Sequence, residues 1–597
     1  MSTVFRGKIE YPLDADWLLR KKRAVKRELL SQDVRWLDKR IAILGGSTTN
    51  DIQDFLEVFL LNEGIRPSFY ASEYNRFYED AVFDNPELRE FAPEIIFIHT
   101  TSRNISQWPD IAMGPEDIDS LLRKQFEHFR RVWGSLEDRF ACPVIQNNFD
   151  RPVYRLLGNR DIWDPRGRSN FVFRLNSLLY TYASEHKDFY IHDIDYLSAQ
   201  YGQTQWQDKE QWVLYKYALG LKAIPEFSRS LANLIKSIYG KNKKTVVLDL
   251  DNTIWGGVVG DDGPENLAIG PETAAGEGFT MFQGYLRELK RLGILLAVNS
   301  KNDKSNAMAG LEHPSGLLRP EDFAHIETNW DSKDRNMETI AQTLNLGLDS
   351  FVFVDDNPAE RDIIRAQMPT VAVVEGNDPY GFLDVLDHSG YFETAGLTKD
   401  DLVRSEMYRA NANRLKLQQS FENYQDYLLS LEMRAVIRNF EPVHLQRIVQ
   451  LINKTNQFNL TTRRYSEAEM QQVMESEQYI HLYGRLEDKF GDNGIVSVTV
   501  GKINGKKLHM ELWLMSCRVL KRDLELAMFD RIVELCRGMG IEEVYGYYYP
   551  TAKNSMVRDF YKTLNFEKVS GEKDGSTVWK YQTARHKTRN TVIEILK

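Results

Sequence analysis

The chain has 597 residues, of which 42% are hydrophobic, and a net charge of −10. It is too long for one core, so we expect about three or four domains, and the negative charge argues against a general nucleic-acid-binding protein. Only three cysteines occur, the apolar runs are strand-sized and the N-terminus has no signal-peptide core, so we expect a cytoplasmic protein without a disulfide framework, a membrane partner or a nucleic-acid partner.

Residues 1–240 alternate helical and strand patterns, which predicts an α/β domain with a mostly parallel sheet. Amphipathic helices are predicted at 14–31 and 51–61. The predicted strands cover residues 41–44, 95–99, 144–146 and 189–191.

Ser47 follows the first predicted strand and precedes an amphipathic helix. This arrangement resembles the first block of SGNH hydrolases, which makes Ser47 an esterase candidate with Asn104 and Asn148 as oxyanion donors. The Asp-x-x-His block of that family is missing, since His192 here precedes Asp193. A serine without a positioned base is a poor nucleophile. The alternative is a docking or lid domain of the same flavodoxin-like fold, in which Ser47 caps the helix.

A second α/β unit is predicted at 241–395, with strands at 245–250, 294–299, 351–355 and 371–374. Its first strand runs directly into Asp249, Asp251 and Thr253. Side chains alternate in an extended segment, so these three residues point the same way at the carboxyl end of the strand. Open α/β sheets bind their ligands at that edge. Two carboxylates converging there repel each other unless a cation or a phosphoryl-transfer reaction uses them.

Four elements of this unit follow one another at strand ends and at a helix start. Together they resemble the four motifs of the haloacid dehalogenase (HAD) superfamily of phosphotransferases and imply a Rossmannoid fold with a small cap or none. The residues that carry the resemblance are Asp249, Asp251, Thr253, Ser300, Lys333, Asp355 and Asp356. The alternative is that they are only capping and turn residues.

The resemblance implies a role for each of these residues. Asp249 would be the nucleophile that forms an aspartyl-phosphate, and Asp251 the general acid and then base. A Mg²⁺ ion would be held by Asp249, the backbone carbonyl of Asp251 and Asp355, with Asp356 as a second choice. Three further roles complete the set: Ser300 binds a phosphoryl oxygen, Lys333 supplies positive charge to developing oxyanions, and Thr253 orients the first loop.

The loops at 249–263, 354–361 and 514–520 resemble more narrowly the FkbH-like proteins, subfamily IIIC of the HAD superfamily. That resemblance implies a three-part enzyme. It would take a glyceryl group from 1,3-bisphosphoglycerate, release phosphate and load the acyl group onto the phosphopantetheine thiol of an acyl carrier protein.

Residues 396–430 are predicted to be a helical connector, 431–585 an α+β domain and 586–597 a tail. The α+β pattern resembles GNAT acyltransferases, whose glycine-rich loop cradles a pyrophosphate. Here the loop runs from Arg518 to Asp523 without glycine, so we doubt that it binds ordinary coenzyme A. Cys517 precedes the loop and is a candidate carrier of the acyl group, with a buried structural cysteine as the alternative.

Three functions therefore remain open from the sequence. The first is a Mg²⁺-dependent phosphohydrolase that couples acyl transfer to dephosphorylation. The second is a plain phosphatase acting on a phosphorylated small molecule, with inactive flanking domains. The third is a carrier-protein-binding scaffold whose HAD site does no chemistry.

Overall fold

A computed structural model describes residues 8–32, 34, 36–402, 404–418, 420–551 and 553–596. The chain forms two compact units, which are considered separately. One contains the chain up to Ser237 with Ser466–Glu469, and the other contains Ile238–Tyr465 and the chain from Met470 onward. Among the described helices, none combines the length and the apolar character that a membrane crossing needs.

The first unit is built on a five-stranded parallel sheet with the order β2-β1-β3-β4-β5. Its strands are β1 (Leu37–Gly45), β2 (Ile65–Ala71), β3 (Ile95–His99), β4 (Val144–Asn147) and β5 (Phe189–His192). Its α-helices are Ala15–Leu30, Asn50–Asn62, Phe77–Val82, Pro86–Phe91, Pro115–Glu137, Arg168–Glu185, Ile194–Tyr201, Gln203–Trp206, Lys209–Tyr215 and Ile224–Ile238. Every residue of β3 and β4 is buried, because helices cover both faces of a central parallel strand.

The second unit contains another five-stranded parallel sheet, with the order β10-β9-β6-β7-β8. Its strands are β6 (Thr245–Leu248), β7 (Leu295–Ser300), β8 (His325–Thr328), β9 (Phe351–Val354) and β10 (Ala372–Val373). Its α-helices are Val259–Asp262, Ala274–Arg291, Lys304–Leu311, Lys333–Leu344, Pro358–Gln367 and Pro379–His388. Between β6 and the helix that starts at Ala274 lie one turn of α-helix and one of 3₁₀-helix, so the predicted small cap is confirmed.

The remainder of this unit forms an eight-stranded mixed sheet with the order β16-β17-β15-β14-β13-β12-β11-β18. Its strands are β11 (Arg434–Arg438), β12 (Tyr479–Asp488), β13 (Gly491–Asn504), β14 (Lys507–Met515), β15 (Glu543–Tyr548), β16 (Glu567–Gly571), β17 (Thr577–Gln582) and β18 (Glu594–Leu596). The helices in this part of the chain are Lys399–Leu402, Arg404–Gln418, Tyr424–Ser430, Leu445–Lys454, Glu467–Glu475, Leu524–Gly538 and Phe560–Thr563. The α/β fold class with a third α+β domain is confirmed.

The prediction of a C-terminal tail at 586–597 is wrong for the described residues. β18 pairs in parallel with β11, so that Glu594 lies opposite Arg434 and Leu596 opposite Val436. The pairing satisfies the outer backbone groups of β11, which explains why the segment is ordered. Lys597 lies outside the described residues.

β14 and β15 pair in parallel over only three residues each and then separate. The segment from Phe458 to Leu460 fills the gap. Leu460 N donates to Trp513 O (3.1 Å), Met515 N to Phe458 O (3.0 Å) and Tyr549 N to Leu460 O (2.9 Å). The chain itself therefore supplies the hydrogen bonds that the two separated strands cannot exchange.

Candidate active site

The carboxylates of the candidate site meet where β6 and β9 end. Leu248 lies opposite Val354 in these parallel strands, and Asp249 and Asp355 directly follow them. The backbone N–H of Asp249 also donates to Val354 O at 2.9 Å. Asp249 and Asp355 are 8% and 0% exposed. The sequence was therefore right to place both at one edge of a parallel sheet.

Lys333 lies between these two carboxylates. Its Nζ is 3.0 Å from Asp249 Oδ1 and also forms an ion pair with Asp355, and only 2% of the side chain is exposed. The lysine is at the start of the helix Lys333–Leu344, and Asn299 Nδ2 at the end of β7 donates to its backbone carbonyl at 2.8 Å. Asp249 and Asp355, which follow β6 and β9, therefore hold the ammonium group, and Asn299 holds the backbone of Lys333.

Carboxylate oxygens of Asp249, Asp355 and Asp356 lie within 4.8 Å of one another. Burial raises the pKa of Asp355 to about 6, the charge of Asp249 adds to the rise, and Lys333 opposes it. Burial and then Asp249 also raise the pKa of Asp356. One lysine therefore only partly compensates the mutual repulsion of three carboxylates.

This cluster fits a hard divalent cation. All its donors are carboxylate oxygens, which Mg²⁺ prefers. Asp249 Oδ1 is buried and, despite the 3.0 Å contact with Lys333, accepts no well-aligned hydrogen bond from the described residues. A cation would relieve the repulsion and use that free lone pair.

Asp251 accepts hydrogen bonds from a separate set of donors. Its Oδ1 accepts from Trp255 Nε1 (2.9 Å) and Val259 N (3.0 Å), and its Oδ2 accepts from Asn302 Nδ2 (2.9 Å). Burial raises the pKa of Asp251, and the charge of Asp249 adds to the rise against the hydrogen bonds from Val259 and Trp255. A raised pKa keeps a proton available, which a general acid requires. The sequence analysis missed the partners Trp255 and Asn302.

The other two predicted residues are buried at the same edge. Thr253 is fully buried, and its Oγ1 accepts from Asp356 N at 3.3 Å, which ties the loop after β6 to the loop after β9. Asn252 has a φ of 53°, a left-handed conformation that bends the chain between Asp251 and Thr253. Ser300 is 2% exposed at the end of β7 and its carbonyl accepts from Asn329 N at 3.3 Å. The structure thus brings the seven predicted residues together around the ends of three adjacent strands.

Cys517 is not part of this group. It packs against the hydrophobic core that includes Phe351 and Leu344, and its carbonyl accepts from Asn345 Nδ2 at 2.8 Å. Asn345 ends the 12-residue helix that begins with Lys333. At 1.5 Å per residue, that helix is about 18 Å long, and Lys333 and Cys517 lie at its opposite ends. Direct transfer of a group from Asp249 to Cys517 would have to cross that distance, which argues against the proposed relay.

The loop from Arg518 to Asp523 is committed to internal contacts. Arg522 is buried and donates to Asp488 (3.0 Å) and to Arg518 O (2.7 Å). Lys521 and Asp523 take φ values of 62° and 61°, the left-handed region that favours glycine. Two residues with side chains therefore take the left-handed conformation in this loop, and the neighbouring gap between β14 and β15 is filled by Phe458–Leu460.

Ser47 of the first unit lacks the partners of an esterase nucleophile. It is 2% exposed, and its Oγ has no hydrogen-bond partner among the described residues. The two expected oxyanion donors are occupied, since Asn104 Nδ2 donates to Gly46 O (2.8 Å) and Asn148 Nδ2 to Asp193 Oδ1 (2.6 Å). Ser47 does not cap the following helix either, because Thr49 is the residue at the cap position. Neither expectation for Ser47 is supported.

Two buried histidines share one asparagine at the carboxyl edge of the first sheet. Asn147 Nδ2 is 3.0 Å from His99 Nδ1 and 3.2 Å from Thr100 O, and Asn147 Oδ1 is 3.0 Å from His192 Nδ1. A carbonyl only accepts, so the amide nitrogen faces Thr100, His99 carries its proton on Nε2 and His192 carries its proton on Nδ1. Burial lowers the pKa of both rings to about 3. Both are therefore neutral in the folded chain.

Comparisons with known proteins gave one family match and a similar solved structure that contains a phosphatase domain. Residues 40–236 match the family model described as FkbH, N-terminal domain. A solved structure, the N-terminal part of protein BF1531 from Bacteroides fragilis containing a phosphatase domain complexed with Mg, is 30% identical. The match covers 63% of this chain and 99% of that one, with a TM-score of 0.58.

A second solved structure, the ribosomal-protein-S18-alanine N-acetyltransferase from Escherichia coli, is 11% identical. The match covers 26% of this chain and 99% of that one, with a TM-score of 0.21. The comparison with curated proteins gave no match.

Replacing Gly310 by alanine is expected to lower activity by about tenfold or more, because it displaces the tryptophan that orients Asp251. A Cβ at Gly310 would lie 2.7 Å from Trp255 Cη2, and Trp255 is 1% exposed. Gly284→Ala is the matched control, since its Cβ meets only Leu317 Cδ1, at 3.8 Å. Phosphatase assays and thermal unfolding of both variants test this. Equal activities would contradict it.

His99 and His192 are expected to stay neutral in the folded chain down to about pH 3 to 4. Since the unfolded rings titrate near pH 6.5, the buried rings contribute full stability above that pH and lose it as the pH falls towards 3. Histidine C2-hydrogen exchange, followed by mass spectrometry, measures each ring. The guanidinium-unfolded chain is the control. Titration of either folded ring between pH 6 and 7 would contradict the prediction.

Proposed function

The chain belongs to the FkbH-like proteins of the HAD superfamily, and from this premise we propose that it is a Mg²⁺-dependent phosphohydrolase or phosphotransferase that works through an aspartyl-phosphate. The convergence of the buried Asp249, Asp355 and Lys333 with the half-buried Asp356 in one cluster carries the proposal. Such a cluster destabilises a fold unless a cation and a phosphoryl group use it. The Mg-complexed phosphatase structure from Bacteroides fragilis, 30% identical to the chain, supports the same reading.

The residues divide the work by environment. Asp249 attacks phosphorus, and the bond to the leaving group breaks as the Asp251 carboxyl donates its proton to the departing oxygen. Trp255 and Asn302 hold the Asp251 carboxyl in position for that transfer. In the second step the Asp251 carboxylate takes a proton from the water that hydrolyses the aspartyl-phosphate. Lys333 stabilises negative charge on the phosphoryl oxygens throughout.

Mg²⁺ would be held by Asp249, Asp355 and Asp356, with the backbone carbonyl of Asp251 as a further oxygen ligand. When bound, it neutralises charge on the phosphoryl group and the carboxylates. Ser300 is the candidate donor to a phosphoryl oxygen from the end of β7. Thr253 joins the loops after β6 and β9, because its Oγ1 accepts a hydrogen bond from Asp356 N.

For the substrate, family membership supports acyl transfer from an acyl phosphate such as 1,3-bisphosphoglycerate to the phosphopantetheine thiol of an acyl carrier protein. Two observations favour the plain-phosphatase alternative. Cys517 lies at the opposite end of the helix from Lys333. The gap between β14 and β15 is filled by the chain itself, from Phe458 to Leu460. Any transfer would therefore have to take place at the phosphoryl site.

Asp249→Asn is expected to abolish phosphate release, because an amide cannot form the aspartyl-phosphate. Asp251→Asn should slow a phosphate ester with a poor leaving group by about 10² to 10⁴-fold, and 4-nitrophenyl phosphate much less, since nitrophenolate leaves without a proton. Malachite-green assays with Mg²⁺ measure both. An active Asp249→Asn variant would refute the mechanism. An inactive wild type would favour the scaffold alternative.

If the chain couples dephosphorylation to acyl transfer, wild type with 1,3-bisphosphoglycerate should add a glyceryl mass to a phosphopantetheinylated carrier protein. The carrier thiol would attack the acyl carbon and displace the acyl-bound phosphate, while Asp249 would remove the 3-phosphate by attack on phosphorus. Asp249→Asn should therefore leave a phosphoglyceryl mass on the carrier, whereas Cys517→Ser should load at close to the wild-type rate. Coenzyme A in excess should not compete, because the strand gap is closed. Intact-mass spectrometry reads out each outcome. Phosphate release without loading would establish the plain phosphatase, and loading lost in Cys517→Ser would restore the relay.

A further inference from the structure

A solvent-exposed tryptophan lies in the loop between β8 and the helix that begins with Lys333. Trp330 is 71% exposed, although tryptophan is on average one of the more buried side chains. Large exposed aromatic surface is costly in water and is characteristic of places where a partner or ligand is contacted. Trp330 precedes Lys333 by three residues, so such a contact would involve a ligand of the phosphoryl site.

The loop that carries Trp330 is tied to the active site on both sides. Asn329 N donates to Ser300 O at 3.3 Å, and three residues after Trp330 the Nζ of Lys333 lies 3.0 Å from Asp249 Oδ1. Asn329 Oδ1 also accepts from Asp331 N and from Asn336 Nδ2, both at 2.9 Å. The backbone around Trp330 is therefore braced rather than free, and it lies between two residues of the phosphoryl site.

The indole is oriented as well. Its Nε1 donates to Asp303 Oδ1 at 3.0 Å, and Asp303 follows Ser300 by three residues in the loop after β7. The ring thus spans the loops that follow β7 and β8, which carry Ser300 and Lys333. Among the described residues no aromatic ring or cation stacks on it, and 71% of the residue is exposed, so indole surface is available to a ligand.

The cap of this site is small. The insertion after β6 holds only the single helical turn Val259–Asp262 and a short 3₁₀-helix. The described cluster of Asp249, Asp355, Asp356 and Lys333 recognises phosphate and metal, and says nothing about the group that the phosphate is attached to. An oriented aromatic face at the rim is the kind of group that could recognise that part.

We propose that Trp330 is a substrate-positioning residue whose indole face packs against the organic part of the phosphorylated substrate and favours an apolar or planar group there. The inference rests on the proposed function of the site in phosphoryl chemistry. It adds a selection among phosphorylated compounds that the carboxylates and the lysine cannot make. Stacking of this kind corresponds to roughly a tenfold preference in affinity.

Calorimetric binding of two non-hydrolysable probes with Mg²⁺, phenylphosphonate and methylphosphonate, tests the proposal on the full chain. In Trp330→Ala the preference for phenylphosphonate over methylphosphonate should fall about tenfold, whereas Trp330→Phe should keep most of it. Trp163→Ala is the matched control, because Trp163 is 62% exposed in the first unit. It should leave the ratio of the two affinities unchanged.

Three outcomes would overturn the proposal: a wild type that prefers neither probe or binds neither, an unchanged ratio in Trp330→Ala, or an equal loss for both probes. The last would mean that Trp330 only supports the loop of Lys333. Turnover of 4-nitrophenyl phosphate by wild type is measured separately. Phosphonate binding with the expected ratio but no turnover would contradict the proposed function and still support the role of Trp330.

Discussion

The second unit depends on one buried arrangement, in which Lys333 is held between Asp249 and Asp355 beside Asp356. Burying like charges is unfavourable, and one ammonium group only partly offsets three carboxylates. The register of β6 with β9 nevertheless forces the two aspartates together, because each directly follows its strand. The fold therefore holds electrostatic strain at the place where a cation and a phosphoryl group would relieve it. The neighbouring elements serve to keep that place intact.

The same constraint explains why Asp251 has hydrogen-bond partners that the other carboxylates lack. Only one residue, Leu250, separates it from Asp249, yet its carboxylate oxygens accept hydrogen bonds from Trp255, Asn302 and Val259 N. Asp249 is left to the lysine and the cation site, while burial keeps the pKa of Asp251 raised. Two carboxylates with different surroundings can act as nucleophile and as acid at the same pH. The division of roles therefore depends on Trp255 and Asn302, which hold the carboxyl group of Asp251.

Sequence patterns predicted the central strands well, since β3, β6 and β9 are continuous apolar runs buried on both faces. They missed β2 and β8, which lie at sheet edges. β2 contains Pro67, and β8 reads His-Ile-Glu-Thr, so neither shows the expected apolar pattern. The site residues were predictable because they follow strand ends. The contact of Gly310 with Trp255 and the pairing of Phe458 with Met515 were not, because they join distant segments without any local periodicity.

The distance between Lys333 and Cys517 limits how the unit could transfer an acyl group. A side chain reaches only a few ångströms, whereas the helix that separates Lys333 from Cys517 is about 18 Å long. With the gap between β14 and β15 filled by Phe458–Leu460, the third domain offers no second cleft of the GNAT kind in its described residues. An acyl acceptor would thus have to enter the phosphoryl site itself. The cap after β6 is only one helical turn and a short 3₁₀-helix, and the exposed Trp330 lies in the loop after β8. Selection of the substrate then falls to the loops after β7 and β8, which already position Ser300 and Lys333.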